Sequence, residues 1–333
     1  MTTTNHHPHL RVFTTGGTIA SRRDSATGAV RAAATGDELL HLAPQLATVA
    51  DLSVDPVAAV NGWNVTPALM FDLAQRVETA LAHPAVDGAI VTHGTDTVEE
   101  TAFLLDLVVH SGKPVVFAVA LRHLEEPGTD GPRNLLDAAR VAAHPATPGR
   151  GVLLVANETI HSARHLTKTH TTNPAAFESP NHGPVGVVTA GGVRYIRPPE
   201  PRRPIAVSRI EPEVFLYKVA AGADDRPLRW ALAAGSKGIV IEGSGAGNVP
   251  AAVVPGIETA LAAGVPVVLS SRCARGFLAP IYGGGGAIGG GHDLTALGVI
   301  PADGLPSQKA RIKLMVALGA TRDLDEILRL FTD

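Results

Sequence analysis

The sequence predicts an α/β fold built on a largely parallel sheet, and three observations carry that reading. Short apolar runs rich in β-branched residues alternate with stretches of helical period, as βαβ units do. The first runs end in glycine-containing turns, where parallel strands hand over to their crossovers. At 333 residues and 45% hydrophobic content, the chain has material for about two domains.

In order, Leu10–Thr15 reads as a strand ending at Gly16–Gly17, and Leu52–Val60 as a second strand. Pro67 suits a helix start, and Ala68–His83 carries helical spacing. Gly88–Thr92 reads as a buried strand closed by His93–Gly94. Thr97–His110 follows as a helix with Val98, Ala102, Leu105 and Val109 on one face and Glu99, Glu100 and Asp106 in the remaining arc. Pro114–Ala120 is a strand, Asn134–His144 a helix and Gly151–Ala156 a strand. Val185–Ile196 alternates around Gly191–Gly192 and reads as a hairpin.

Arg197–Pro204 then holds four prolines in eight residues, the clearest boundary in the chain. The expected division is an N-terminal domain over 1–196, a linker over 197–212 and a C-terminal domain over 213–333. The second part repeats the rhythm on a smaller scale. Strands are expected at Val214–Val219, Gly238–Glu242 and Val265–Ser270, and helices at Arg226–Ala234 and Ala251–Ala263. Two further helices are expected near Ser307–Leu318 and Asp323–Phe331.

Composition excludes several classes. The formal net charge is −3 and no lysine/arginine block stands out, so no nucleic acid and no membrane surface is expected as partner. A single cysteine, Cys273, rules out an internal disulfide framework, and it reads as a packing thiol. The polar start of the chain has no apolar signal core and no 18-residue apolar run exists, so a cytoplasmic protein is expected. His6, His7 and His9 read as a tail rather than a metal-binding tract, and no HExxH or G-x-S-x-G occurs. Ser244–Asn248 echoes a dinucleotide fingerprint but has Asn248 at its third glycine. No cofactor and no metal is expected.

Open parallel sheets place their sites at the carboxyl ends of strands. Two loops at such ends carry hydroxyls beside glycines: Thr14-Thr15-Gly16-Gly17-Thr18 and Thr92-His93-Gly94-Thr95-Asp96-Thr97. Glycine lets a backbone approach a ligand and present its N–H groups. A plainer reading is open too, in which Thr97 caps the following helix with Glu100 closing a capping box.

The segments TTGGTIAS and THGTDTVEETAFLLDL resemble the two signatures of the bacterial-type L-asparaginase (asparaginase/glutaminase) family. DGPRNLLDA, LTKTHTTNPAAFESPN, GSGAGN and SQKARIKL follow in the family's order, so the resemblance spans nearly the whole chain. It implies a large Rossmann-like N-terminal domain, a smaller C-terminal α/β domain and a homodimer or homotetramer. It implies hydrolysis of L-asparagine to L-aspartate and ammonia through an acyl-enzyme, with Thr18 as nucleophile. Thr95, Asp96 and Lys168 would handle protons, and Gly17 and Gly94 would line the substrate. The chemistry is coherent: a threonine hydroxyl needs a neighbouring base, and turn amides can stabilise an oxyanion.

Three departures from the family pattern stand out. The loop Ser21–Gly36 holds no tyrosine where well-studied members have one, and Arg31 lies near that place. Gly62, Trp63 and Asn64 occupy the positions of a serine, a glutamine and an acid that hold the substrate's α-carboxylate and α-amino groups. Trp63 reads equally well as a packing residue. In the glycine-rich run Ile281–Gly291, Tyr282 is the candidate for the subunit-crossing contact, with Asn248 beside it. The altered pocket keeps rivals open: an amidohydrolase acting on a modified or D-asparagine, glutamine or a lactam, a turnover-impaired asparagine-binding homologue, or a subunit of a tRNA-linked amidotransferase.

Overall fold

The strand expected at Leu10–Thr15 forms as β1 (His9–Gly16) in this computed structural model, which describes residues 7–24, 27–32, 34, 36–41, 43–284 and 288–332. The chain divides into two units, residues 1–204 and 205–333.

In the N-terminal unit, a short hairpin of β2 (Ser21–Arg23) and β3 (Val30–Ala32) follows β1. Then come α1 (Gly36–His41), β4 (Asp51–Val60) and α2 (Pro67–Ala82). Thr66 caps α2 by accepting from Leu69 N at 3.2 Å, and Pro67 opens it, as a residue lacking a donor should. β5 (Gly88–Thr92), α3 (Val98–Val108), β6 (Val115–Ala118), α4 (Gly131–Ala143) and β7 (Val152–Ala156) complete the βα alternation. Strands β4, β1, β5, β6 and β7 are all parallel, in that order. One face of this sheet packs Leu10, Val12, Ile90, Val116 and Val155 against Leu135 and Ala139 of α4. Helix α3 is enclosed more fully than amphipathic spacing suggests. Glu99 is buried, and Asp106 accepts from Val152 N at 2.9 Å while pairing with Arg202.

After β7 the sheet turns antiparallel, which the strand-and-helix rhythm of the sequence does not announce. β8 (Thr159–Ser162) returns along β7, the small ladder β9 (Thr167–Lys168) and β10 (Phe177–Glu178) follows, and β11 (Gly186–Thr189) and β12 (Gly192–Tyr195) form the expected hairpin. The sheet order is β12-β11-β8-β7-β6-β5-β1-β4. The turn into β8 has no glycine to signal it. Asn157 and Glu158 both take left-handed backbone, φ 48° and 63°. That is the backbone of a two-residue hairpin turn, normally signalled by Asn-Gly. Here neighbours hold it: Asn157 N donates to Asn134 Oδ1 at 3.0 Å, and Arg133 donates to Glu158 at 3.0 Å.

The C-terminal unit has β13 (Val214–Lys218), α5 (Arg226–Ala233), β14 (Gly238–Gly243), α6 (Val254–Ala262), β15 (Val267–Ser271), α7 (Gly291–Ala296), β16 (Ile300–Pro301), α8 (Ser307–Ala320) and α9 (Leu324–Thr332). The four strands are parallel in the order β13-β14-β15-β16, over a core that includes Leu228, Ile239, Ile241, Ile257 and Leu269. The helix expected from Ala251 begins as a 3-10 turn, Ala251–Val253. Pro255 tolerates only the first turn of an α-helix, so α6 starts at Val254. Cys273 is exposed rather than packed, because it falls in the loop beyond β15. His9 belongs to β1, where its ring meets Ser53 Oγ at 2.8 Å, so it is no tail residue; His6 lies outside the described residues.

Candidate active site

Three strand ends, of β1, β4 and β5, meet through glycine. Gly17 follows β1 at φ 80° and ψ −178°, a conformation left essentially to glycine. A Cβ there would fall on the backbone of Gly94. A Cβ on Gly94 would in turn lie 2.7 Å from Gly62 Cα. A Cβ on Gly62 would come within 3.2–3.3 Å of the 94–96 backbone. Gly62 is thus a position of close backbone approach, and a serine there would have to displace its neighbours.

Hydrogen bonds lock the same three loops. Gly17 N donates to Val60 O at 3.0 Å, and Thr15 Oγ1 to Thr92 O at 2.9 Å. Thr97 Oγ1 donates to Gly62 O at 2.6 Å. That last bond replaces the helix cap considered from the sequence: the Thr97 hydroxyl makes no capping bond. Gly17 O accepts from Ala20 N and from Ser21 Oγ, which curls Thr18–Ala20 into a 3-10 turn with Thr18 leading it. Thr18 is half-buried, and its hydroxyl finds no hydrogen-bond partner among the described residues.

On the β5 side, Thr95 is 6% exposed. Lys168 Nζ donates to Thr95 Oγ1 and to Asp96 Oδ1, both at 2.8 Å. The structure therefore brings Thr95, Asp96 and Lys168 together across 72 residues of chain. Lys168 reaches them from β9, where it pairs with Phe177 of β10. With a side chain 15% exposed it is far from the open-loop lysine that composition alone favours.

His93 went unremarked in the sequence beyond closing β5. It is fully buried, two residues before Thr95. Its Nδ1 lies 2.7 Å from Gly94 O and so donates, leaving Nε2 to accept from Thr101 Oγ1 at 3.0 Å. Burial pushes its pKa down to about 4, so the ring is neutral at ordinary pH. A histidine directly after a wholly buried strand was the available signal.

Trp63 and Asn64 are exposed, Trp63 at 65%, so the packing reading of Trp63 fails: the turn Gly62–Asn64 points it outward. Arg31 pairs through its backbone with Arg22, and its side chain lies outside what is described. Asn248 and Tyr282 belong to the C-terminal unit. Asn248 closes a tight turn with Ser244, and its Oδ1 accepts from Gly291 N at 3.1 Å, so the fingerprint-like segment is a turn. Tyr282 is exposed, and its carbonyl accepts from His292 N at 2.9 Å. Residues 285–287 of the glycine run lie outside the described residues.

The N-terminal asparaginase family model matches residues 9–201, and the glutaminase/asparaginase C-terminal model matches 213–331. This chain belongs to the asparaginase family. It is an amidohydrolase of the L-asparaginase type. Among asparaginase-family relatives, it is 41% identical to a probable L-asparaginase of Deinococcus radiodurans, over 98% of this chain and 97% of that protein. It matches the crystal structure of a probable cytoplasmic L-asparaginase from Campylobacter jejuni with a TM-score of 0.86 and 32% identity, covering 98% of this chain and 99% of that one. It is also 31% identical to a glutamyl-tRNA(Gln) amidotransferase subunit of Pyrococcus horikoshii, over 98% of this chain and 75% of that protein.

Proposed function

We propose that the protein hydrolyses L-asparagine to L-aspartate and ammonia through a threonine acyl-enzyme. The observation that carries this is the Thr95–Asp96–Lys168 cluster, with both donor distances at 2.8 Å, facing a loop whose Thr18 hydroxyl is unengaged among the described residues. Thr18 Oγ1 adds to the side-chain amide carbon while its proton passes to a base, which delivers it to the leaving nitrogen as the intermediate collapses and ammonia departs. Water then attacks the ester, giving a proton to the departing Thr18 oxygen as aspartate is freed. Asp96 holds the Lys168 ammonium, and Lys168 orients the Thr95 hydroxyl for proton transfer. Gly17 N is spent on Val60 O, so it is no oxyanion donor. The amides of Thr18 and Thr95 meet no acceptor among the described residues and suit that role.

A second reading concerns the substrate. Gly62, Trp63 and Asn64 bring no carboxylate to the place where an ammonium would be held. An amide without a free α-amino group, such as an N-modified asparagine or a lactam, fits that change, and glutamine and D-amino acid amides remain for comparison. The similarity to the Pyrococcus horikoshii amidotransferase subunit leaves tRNA-linked amide donation as a coarser alternative. Product analysis over a panel of these amides decides among them, with released ammonia reporting the primary amides and the ring-opened amino acid reporting a lactam. Turnover of L-asparagine with kcat/KM above every other panel member supports the proposal; a different best substrate overturns its substrate half. We further propose a homodimer or homotetramer, checked by its mass in solution. The cytoplasm is the proposed location, supported by the similarity to the probable cytoplasmic L-asparaginase of Campylobacter jejuni; no helix among the described residues is long and apolar enough to cross a membrane.

A further inference from the structure

The β9–β10 ladder that carries Lys168 is bracketed by two histidines. His165 lies in the turn before β9, where its N–H and that of Leu166 both donate to Ser162 O. His182 lies beyond β10, where its N–H donates to the carbonyl of buried Ser179 at 3.1 Å. The two imidazoles stack, with centroids 3.6 Å apart and planes 18° apart. Glu200 completes the group: its Oε2 accepts from His165 Nε2 at 2.8 Å. One nitrogen or oxygen of each residue lies within 4.8 Å of those of the other two. Glu200 stands between Pro199 and Pro201, whose rings fix φ, so its carboxylate comes from a stiff segment. Arg202 anchors that segment by donating to Asp106 O at 2.6 Å and Val109 O at 2.9 Å.

We propose that His165, His182 and Glu200 form a binding site for a divalent transition-metal ion of the zinc class. The donor set decides the class. Two imidazole nitrogens and one carboxylate oxygen are a zinc set, with water completing a tetrahedron. Magnesium and calcium prefer oxygen throughout. Bonds of about 2.0–2.2 Å set neighbouring ligand atoms roughly 3.3 Å apart. The group reaches that spacing by splaying the stacked rings and swinging Glu200, whose side chain is 42% exposed. On coordination through Nε2, the His165 ring carries its proton on Nδ1. Its neutral form is the resting one, because burial pushes it down to about 4, outweighing the pull of Glu200. The bound ion would join both ends of the ladder to the 198–201 segment and so restrain the strand that presents Lys168.

The site stands independently of the catalytic proposal, because its test reads the ion and not turnover. Purified full-length chain, its resident metal stripped with a chelator, is titrated with Zn2+ against a chromophoric chelator. Co2+ titration then reports tetrahedral coordination through its visible absorption. The same titrations are run on Glu200→Gln, His182→Gln and a His165→Gln/His182→Gln double variant. The expected result is one Zn2+ per chain that raises the melting temperature, with affinity lowered by about 10–100-fold or more in each variant. Equal affinity and stoichiometry in the parent and the double variant would place the ion elsewhere, for instance on the N-terminal histidines, and overturn the proposal. No binding by the parent overturns it as well. Glu200→Gln alters an exposed side chain, so the test survives even if a histidine variant folds poorly.

Discussion

Thr18 and Thr95 close neighbouring strand ends, yet their surroundings differ. The Thr18 hydroxyl is half-buried and unpartnered among the described residues. The Thr95 hydroxyl is buried and already held by Lys168, which Asp96 holds in turn. Before Thr95 in the chain stands a neutral histidine bonded to Gly94 O; before Thr18, the carbonyl of Gly17 accepts from Ala20 N and Ser21 Oγ. The lesson is that an unengaged hydroxyl is free to meet substrate, whereas a prearranged one suits moving protons. Two threonines in similar glycine-rich loops need not share a role.

The sharpest way to break this comparison is to remove each hydroxyl in turn. Thr18→Ala should lower kcat by about 10⁴-fold or more, the scale of losing a nucleophile, and abolish acyl-enzyme trapping with the substrate in use. Trapping that persists would reassign the nucleophile to Thr95. Lys168→Met should cost about 10²–10⁴ in kcat with a smaller change in KM, as loss of a proton-handling group does. A KM effect with kcat intact would make Lys168 a binding residue instead.

The buried histidine separates the loops through pH. His93 titrates near 4 in the folded chain, against an ordinary value of 6.5. Between those values the unfolded chain holds a proton that the folded chain does not. Stability should therefore fall as pH drops from about 6.5 to about 4 and flatten below, by on the order of 3 kcal/mol. His165, lowered to about 4, adds in the same direction. Unfolding by denaturant across that range measures the slope, and His93→Asn should make it shallower; an unchanged slope would assign it to other groups. The smallest effect expected is that of Gly17→Ala, about 1–3 kcal/mol of backbone strain at φ 80°, together with lost activity as the Gly94 backbone is displaced. Denaturant midpoints and turnover of that variant, set beside Gly28→Ala, check it. Gly28 also has positive φ, but no atom lies within 4 Å of the added Cβ. Similar losses in both would show that backbone strain, rather than the three-glycine contact, sets the cost.

Local signals reached far into this fold. Apolar β-branched runs marked the parallel strands, and the bounds of β5 were read to the residue. Pro67 marked the start of α2. The antiparallel β8 escaped because its turn uses Asn157 and Glu158, whose left-handed backbone is imposed by Asn134 and Arg133. Trp63 escaped because a large apolar residue reads as core unless the turn beneath it is known to face outward.

By itself the sequence determined the alternation of strands and helices, the two threonine-glycine loops and, through its motifs, the family. These follow from periodicity and from the conformational freedom of glycine, which act over a few residues. Only the tertiary structure decided that Gly17, Gly62 and Gly94 touch, that Thr97 serves Gly62 rather than its own helix, and that Lys168 meets Thr95 and Asp96. It alone set His165 and His182 beside Glu200. Contacts between residues tens of positions apart depend on how sheet and loops pack, and no local pattern encodes that distance.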